Sequence, residues 1–371
     1  MGPRQSATYA IVPDRRTNNT VTPCDTVAPF SRVLLLLRSS KSLSMRVLVT
    51  GADGMLGSHI VRQLLQRNHK VRAFLFPGAN HIALEGLDVE RVPGNILNYD
   101  EVLAASKGCS QMIHVAANTN VWPSRSEMVR RVNIDGTRHM IKAAKAVGTS
   151  RFVHIGSASS FGCGPAHAPG DETTPFNGRK YGLDYVDSKY EAQQILLREV
   201  AENGFPVIVV APTFMFGPYD TKPGSGQMLI ALRQRKVPAF ASGGKNFVHV
   251  NDVAAAAVNA LTMGRTGESY IAGNENLSYQ EIMHKIAGVM QVPPPKLPAP
   301  DFLLKIAGLV GSALGRLKIA TPKLSYPMAL VACDGQYFSS AKAVAELNMP
   351  QTNIEIAIAE ACEWFVANGY C

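Results

Sequence analysis

Long apolar runs are scarce in this chain. The leucine-rich stretch Val33-Leu34-Leu35-Leu36-Leu37 is flanked by arginines and, like every other aliphatic run, falls far short of the roughly 20 residues a spanning helix needs. Nothing in the sequence therefore reads as a transmembrane segment. The six cysteines, at positions 24, 109, 163, 333, 362 and 371, show no paired metal spacing. They read as reduced thiols of a cytosolic-type environment, with no metal site implied. Internal repeats and long low-complexity tracts are missing, and so is any stripe of basic residues interleaved with aromatics. The net charge is +9, but the first 44 residues hold six basic residues against Asp14 and Asp25 and account for +4, which leaves +5 for the rest. That excess is too modest to argue for nucleic acid.

What is present is ordinary globular material. At 371 residues, 46% of them hydrophobic, the chain can bury a large core and is long enough for two lobes. Residues 1–44 lack periodicity and are rich in Ser, Thr, Pro and Arg, so they read as an N-terminal extension: a disordered tail, a stretch ahead of a native start at Met45, or an organelle transit leader. A cytoplasmic protein is the expectation over an organellar one. After Met45 strand-like and helix-like stretches alternate, which predicts an α/β fold built on a doubly wound parallel sheet of the Rossmann kind. Strands are predicted at 46–50, 70–75, 88–92, 110–115, 151–156 and 205–210, and helices at 55–67, 99–107, 125–147 and 185–203. The alternation predicts a dinucleotide-binding domain at 45–211. Beyond Pro212 it loosens, and the proline-rich run at 292–300 marks a break.

Two motifs carry chemistry. The apolar run Met45-Arg46-Val47-Leu48-Val49-Thr50 leads into Gly51-Ala52-Asp53-Gly54-Met55-Leu56-Gly57 and then into a helically spaced stretch, giving strand, glycine turn and helix in order. Glycine allows close backbone approach, and a helix N-terminus offers free N–H groups and partial positive charge to a pyrophosphate. Downstream, Tyr185 and Lys189 form the only Tyr-x-x-x-Lys in the chain. On a helix they share a face. A cation about 4 Å from the phenol is worth on the order of 4 kcal/mol at an effective dielectric near 20, enough to lower a phenol pKa by about three units.

With these motifs in place, the chain resembles the extended short-chain dehydrogenase/reductase superfamily over about residues 45–371. The resemblance rests on the glycine turn, Gly94-Asn95-Ile96, His114-Val115-Ala116-Ala117, Asn133-Ile134-Asp135-Gly136-Thr137, Ser157-Ala158-Ser159, Tyr185-x-x-x-Lys189, Ala211-Pro212-Thr213-x-x-x-Gly217-Pro218 and Phe247-Val248-His249-Val250-Asn251-Asp252-Val253. Within that branch the Val71-Arg72-Ala73 strand, the Asp171-Glu172-Thr173-Thr174-Pro175 loop and the ending Ala361-Cys362-Glu363-Trp364-Phe365 look most like the dihydroflavonol-reductase-like group and the hopanoid-associated sugar epimerases. The resemblance implies a smaller C-terminal substrate lobe at 212–371, with 247–264 returning to the first domain. It implies Ser157, Tyr185 and Lys189 as the catalytic set, with Ser159 and Ser160 as neighbouring alternatives to Ser157. Asn133 is implied as a support for backbone or a water chain. Cofactor contacts are implied at Gly51, Asp53, Gly54, Met55, Leu56, Gly57, Ile96, Ala116, Ala117, Asn133, Tyr185, Lys189, Pro212 and Thr213.

The cofactor implied is NAD(P), and here the sequence departs from its relatives. Where NAD-preferring members carry an acid and NADP-preferring ones often an arginine, this chain has Phe76. Phe76 can stack on adenine, and Arg72 or Arg62 can reach a 2′-phosphate, so the expectation leans to NADP. Asn95 stands where the family commonly has Asp, and its amide oxygen can still accept from the adenine amine. No carboxylate follows Ser157, which disfavours dehydration. The expected activity is hydride transfer between nicotinamide and a secondary alcohol or ketone with Tyr185 as acid or base. The rivals are a nucleotide-sugar epimerase with tightly bound NAD and a non-catalytic dinucleotide sensor. The partner is a small molecule, a ketone, alcohol or nucleotide sugar, and a homodimer through exposed helices is common in similar enzymes. The apolar segment 302–310 can line a pocket for a lipophilic substrate, form a core helix of the second lobe, or touch a membrane surface.

Overall fold

In the computed structural model, residues 46–371 are described; the readings made for residues 1–44, the Val33 to Leu37 run and Cys24 among them, lie outside that range. The first half alternates strands and helices: β1 (Arg46–Thr50), α1 (Met55–Gln66), β2 (Lys70–Leu75), β3 (Glu90–Pro93), α2 (Tyr99–Ser106), β4 (Gln111–His114), α3 (Glu127–Arg130), α4 (Gly136–Val147), β5 (Arg151–Ile155), α5 (Asp184–Asn203) and β6 (Val207–Pro212). The second half contains β7 (Phe214–Phe216), α6 (Gln227–Arg233), β8 (Ala239–Phe240), β9 (Gly244–His249), α7 (Val250–Asn259), β10 (Ser269–Ala272), β11 (Glu275–Ser278), α8 (Tyr279–Met290), β12 (Leu297–Pro298), α9 (Asp301–Arg316), α10 (Tyr326–Cys333), β13 (Gly335–Gln336), α11 (Ala341–Leu347) and α12 (Ile354–Ala367).

Seven parallel strands form the main sheet in the order β10-β6-β5-β4-β1-β2-β3. A parallel sheet covered by helices on both faces needs strands that are apolar throughout, and β4, β6 and β10 are buried at every position. β3, at the edge, is largely exposed. The strand order reverses between β1 and β4, so the crevice beyond their carboxyl ends is the place where this topology opens a binding site. The helix expected at 125–147 is instead three pieces, because a π-helical turn at Arg131–Asp135 separates α3 from α4.

The chain leaves the main sheet after Pro212. β7, β9, β11 and β13 form a second sheet, which shares a core with α6, α8 and α12 built on Phe216, Phe247, Ile282, Ile358 and Phe365. It then returns, and the return begins at α7, whose Val253, Ala254 and Ala257 pack into the same cluster as Val47 and Ile60 of β1 and α1. Strand β10 completes it. The end of the Phe247 to Val253 motif is thus a hinge between layers: Gln63 of α1 donates to the backbone and side-chain oxygens of Asn251 at 2.9 and 2.7 Å.

Candidate active site

The crevice is sewn shut at its base by Thr50. Its hydroxyl accepts from the backbone N–H groups of Val115 and Ala116, both at 3.1 Å, and lies 2.8 Å from His114 Nδ1. Gly51 follows at φ +62°, where a side chain is strained, and a Cβ there would lie 2.8 Å from the Ala116 backbone. At Gly57 a Cβ would fall 2.0 Å from the Gly51 carbonyl oxygen, so glycine is what lets α1 start against β1. Gly54 is different: only the Gly51 oxygen, at 3.5 Å, would meet its Cβ, which leaves that side open. Beyond it the first-turn amides of Met55, Leu56 and Gly57 have no carbonyl one turn back, and neither a capping side chain nor an acidic residue covers them. A cradle of that shape and polarity fits a pyrophosphate.

The second half of the site comes from β5 and α5. Ser157 lies two residues past the end of β5, buried, with its hydroxyl 2.8 Å from that of Ser159. α5 is held at its start by acidic residues: Asp184 accepts from the Ser126 backbone and from Arg125, and Arg125 also pairs with Asp187. This fixes the rotation of the helix, which turns Tyr185 towards Ser157. Burial pushes the phenol pKa up, and the neighbouring Ser157 hydroxyl pulls it down. Lys189 is buried too, donates to the Ile155 carbonyl at 2.7 Å, and is lowered by that burial to about 8. The ammonium thus serves the end of β5, and the depression of Tyr185 expected from a nearby cation is not what the phenol shows. Beneath Lys189 lie His114, lowered to about 3 by burial, and His154, lowered for the same reason.

Asn133 sits in the π-helical turn and clamps two segments together. Its side chain accepts from the Asn118 N–H at 2.8 Å and donates to the Asn118 carbonyl and to Ser188 Oγ, which in turn donates to the Tyr185 carbonyl. That bridge joins the loop after β4 to the helix carrying the tyrosine.

The NAD dependent epimerase/dehydratase family matches residues 47–273. The chain belongs to this family. A "Putative dihydroflavonol 4-reductase" of Synechocystis sp. is 32% identical over 87% of this chain and 95% of its own length. "Sterol demethylase protein B" of Methylococcus capsulatus is 31% identical over 88% and 99%. Among solved structures, that of gox2253 superposes with a TM-score of 0.77 at 32% identity, covering 88% of this chain and 99% of that one. Membership of that family makes the chain an NAD(P)-dependent oxidoreductase or epimerase.

Set beside the expected contacts of such a family member, the remaining residues divide. Phe76 projects from the end of β2 with 61% of its surface exposed, free to meet a flat ligand. Ile96 packs on Gly136, and the Asn95 amide oxygen accepts from the Leu97 N–H. One lone pair of that oxygen is left for a ligand. Ala116 and Ala117 line the crevice mouth beside Thr50, half-buried, and Asp53 lies 3.8 Å from His81 in the loop after β2. Pro212 is buried at the end of β6, and the Thr213 hydroxyl donates to Asn246 at 2.8 Å, tying the strand exit to the second sheet.

Both cations proposed for a 2′-phosphate are committed elsewhere. Arg72 is buried at mid-strand, where the alternation of β2 turns its guanidinium under the sheet to the carbonyls of Ala105 and Lys107 and to Glu90. Arg62 lies over the Tyr219 ring at 3.8 Å and donates to the Ser58 carbonyl. The segment 302–310 is also not a core helix, since within α9 only Gly308 and Ser312 are buried. Ser188 and the half-buried Lys245, lowered by burial to about 8 and donating to Gln336, are not marked by the sequence. Ser188 lies inside the Tyr185 to Lys189 motif, and nothing in the spacing around Lys245 marks it.

Proposed function

We propose that this chain moves a hydride between NAD and a secondary alcohol or ketone on a bulky apolar substrate, with Tyr185 exchanging the proton at the substrate oxygen. The observation that supports it most is the Tyr185 phenol held beside Ser157, at an apolar cluster of Tyr181, Leu183 and Val186 against which Val121, Phe176, Leu330 and Val331 also pack. A carbonyl oxygen entering there meets two hydroxyls and an apolar wall. NAD, when bound, supplies the hydride carrier. The amides of Met55, Leu56 and Gly57 would hold its pyrophosphate, and Phe76, Asn95 and Ile96 would take its adenine. In the reductive direction Tyr185 gives its proton to the oxygen while Ser157 donates a second hydrogen bond. Lys189 fixes the end of β5, and with it the strand exit that carries Ser157, by donating to the Ile155 carbonyl.

The relatives' names support reductive chemistry and a sterol-sized apolar substrate over a sugar nucleotide. The stretch Ser157-Ala158-Ser159-Ser160 offers no carboxylate for elimination. NAD is favoured over NADP: Arg72 and Arg62 are engaged, and Asp53, beside the loop that follows β2, sets a negative charge near the ribose end.

The test pairs Tyr185→Phe with a screen of sterol and flavonoid ketones in the presence of NADH. Net loss of NADH is expected, falling by about 10²–10⁴ in the variant while NAD still raises its thermal midpoint. Unimpaired turnover by Tyr185→Phe would remove the tyrosine from its role, and product formed without net change in NADH would make the chain an epimerase.

A further inference from the structure

α9 turns an apolar face to solvent that nothing among the described residues covers. Phe302, Leu303, Ile306, Leu309, Val310 and Leu317 are between 50% and 69% exposed, and their spacing places them along one stripe of the helix. The opposite stripe is small and packed: a Cβ at Gly308 would lie 2.9 Å from the Ala329 side chain of α10, and the Tyr326 N–H donates to Ser312 Oγ at 2.8 Å. The exposed stripe is thus no by-product of a frayed helix, for the other side of the same helix is seated.

Charge indicates the occupant. Between residues 296 and 323 the chain carries Lys296, Lys305, Arg316, Lys318 and Lys323 against Asp301 alone, a net charge of +4. Two copies meeting through this face would bring like charges together, and residues 1–44 are positive as well. An anionic lipid surface has the complementary sign and takes up the apolar stripe. At about 1.5 Å per residue the 16 residues of α9 extend about 24 Å, short of the roughly 30 Å hydrocarbon core, so the helix suits the plane of the interface rather than a crossing.

We propose that α9 docks the enzyme on anionic bilayers, its apolar stripe sunk among the acyl chains and Lys305, Arg316, Lys318 and Lys323 held at the headgroups. The docked helix rests on α10, whose Leu330 and Val331 pack against the same apolar cluster as Tyr185. The membrane face is therefore one helix layer from the proposed reaction site. Docking is independent of the substrate assignment, because lipid binding is measured without turnover.

The experiment is co-sedimentation of the full chain with phosphatidylcholine vesicles, with and without phosphatidylglycerol. Binding to the phosphatidylglycerol vesicles is expected, weakened by salt and reduced about tenfold or more both by Phe302→Asp with Leu309→Asp and by Lys318→Glu with Lys323→Glu. Retained thermal stabilisation by NAD shows that each variant is folded. Absence of binding to either vesicle, or binding indifferent to both pairs of substitutions, would overturn the proposal. So would a dimer in sedimentation equilibrium that Leu309→Asp dissociates, which would assign the face to a second copy.

Discussion

α1 and α9 are both amphipathic helices written in similar residues, yet α1 buries seven of its 12 residues and α9 two of its 16. The contrast shows that an apolar stripe states a demand for cover without saying what meets it. α1 meets its demand within the molecule, against α7 and the β1 strand, through Ile60, Val61 and Leu64. α9 gives its small-residue side to α10 and leaves the large side chains outward. Hydrophobic pattern alone ranks α9 as the better core helix, and the fold uses it as a surface.

The sharpest way to break that comparison is to truncate one apolar side chain on each helix. Ile60→Ala, fully buried, is expected to cost about 2–5 kcal/mol in denaturant unfolding, whereas Leu309→Ala should stay within about 0.5 kcal/mol. Equal losses would mean that α9 is covered in solution.

A smaller effect separates chemistry from stability in the first half of the chain. Lys189 titrates at about 8 in the fold and near 10.5 when unfolded, so between those values the unfolded chain holds more protons and stability rises with pH. Below about pH 8 the whole burial penalty is carried. Lys189→Met should therefore stabilise the protein at pH 7 by about 1–2 kcal/mol, after loss of the Ile155 hydrogen bond is counted, while abolishing turnover. The gain should shrink as pH climbs towards 10.5 in thermal melts. A gain that does not change with pH would show that burial leaves the lysine pKa at its unfolded value.

The smallest expected effect lies at the adenosine end. Asp53→Asn removes one charge and should improve NADP affinity relative to NAD about fivefold, roughly 1 kcal/mol, measured by thermal shift with each cofactor. An unchanged ratio would take Asp53 out of cofactor choice.

Much of the first half of the chain was legible in the sequence. Strand β1, the glycine turn and α1 are specified by contiguous residues whose neighbours in sequence are also their neighbours in space, and the observed bounds of β1, β2 and β5 agree with the expected ones to within a residue. The pairing of Ser157 with Tyr185 was legible only through family resemblance, because 28 residues separate them. Arg72 and Arg62 misled because a cation's reach depends on which face of a strand or helix it leaves. The single helix expected at 125–147 failed at Asn133, where a π-helical turn serves a side-chain clamp that periodicity does not register.

By itself the sequence determined the parallel sheet, the position of the cradle and the residue types able to move a proton, since each follows from local periodicity, glycine placement or side-chain chemistry. Tertiary structure alone decided where the cations point, that burial rather than a neighbouring charge dominates the Tyr185 phenol, and that the α9 stripe faces outward. Those outcomes depend on which surfaces meet across long sequence separations. Desolvation and charge pairing are set by that meeting, and no run of adjacent residues contains it.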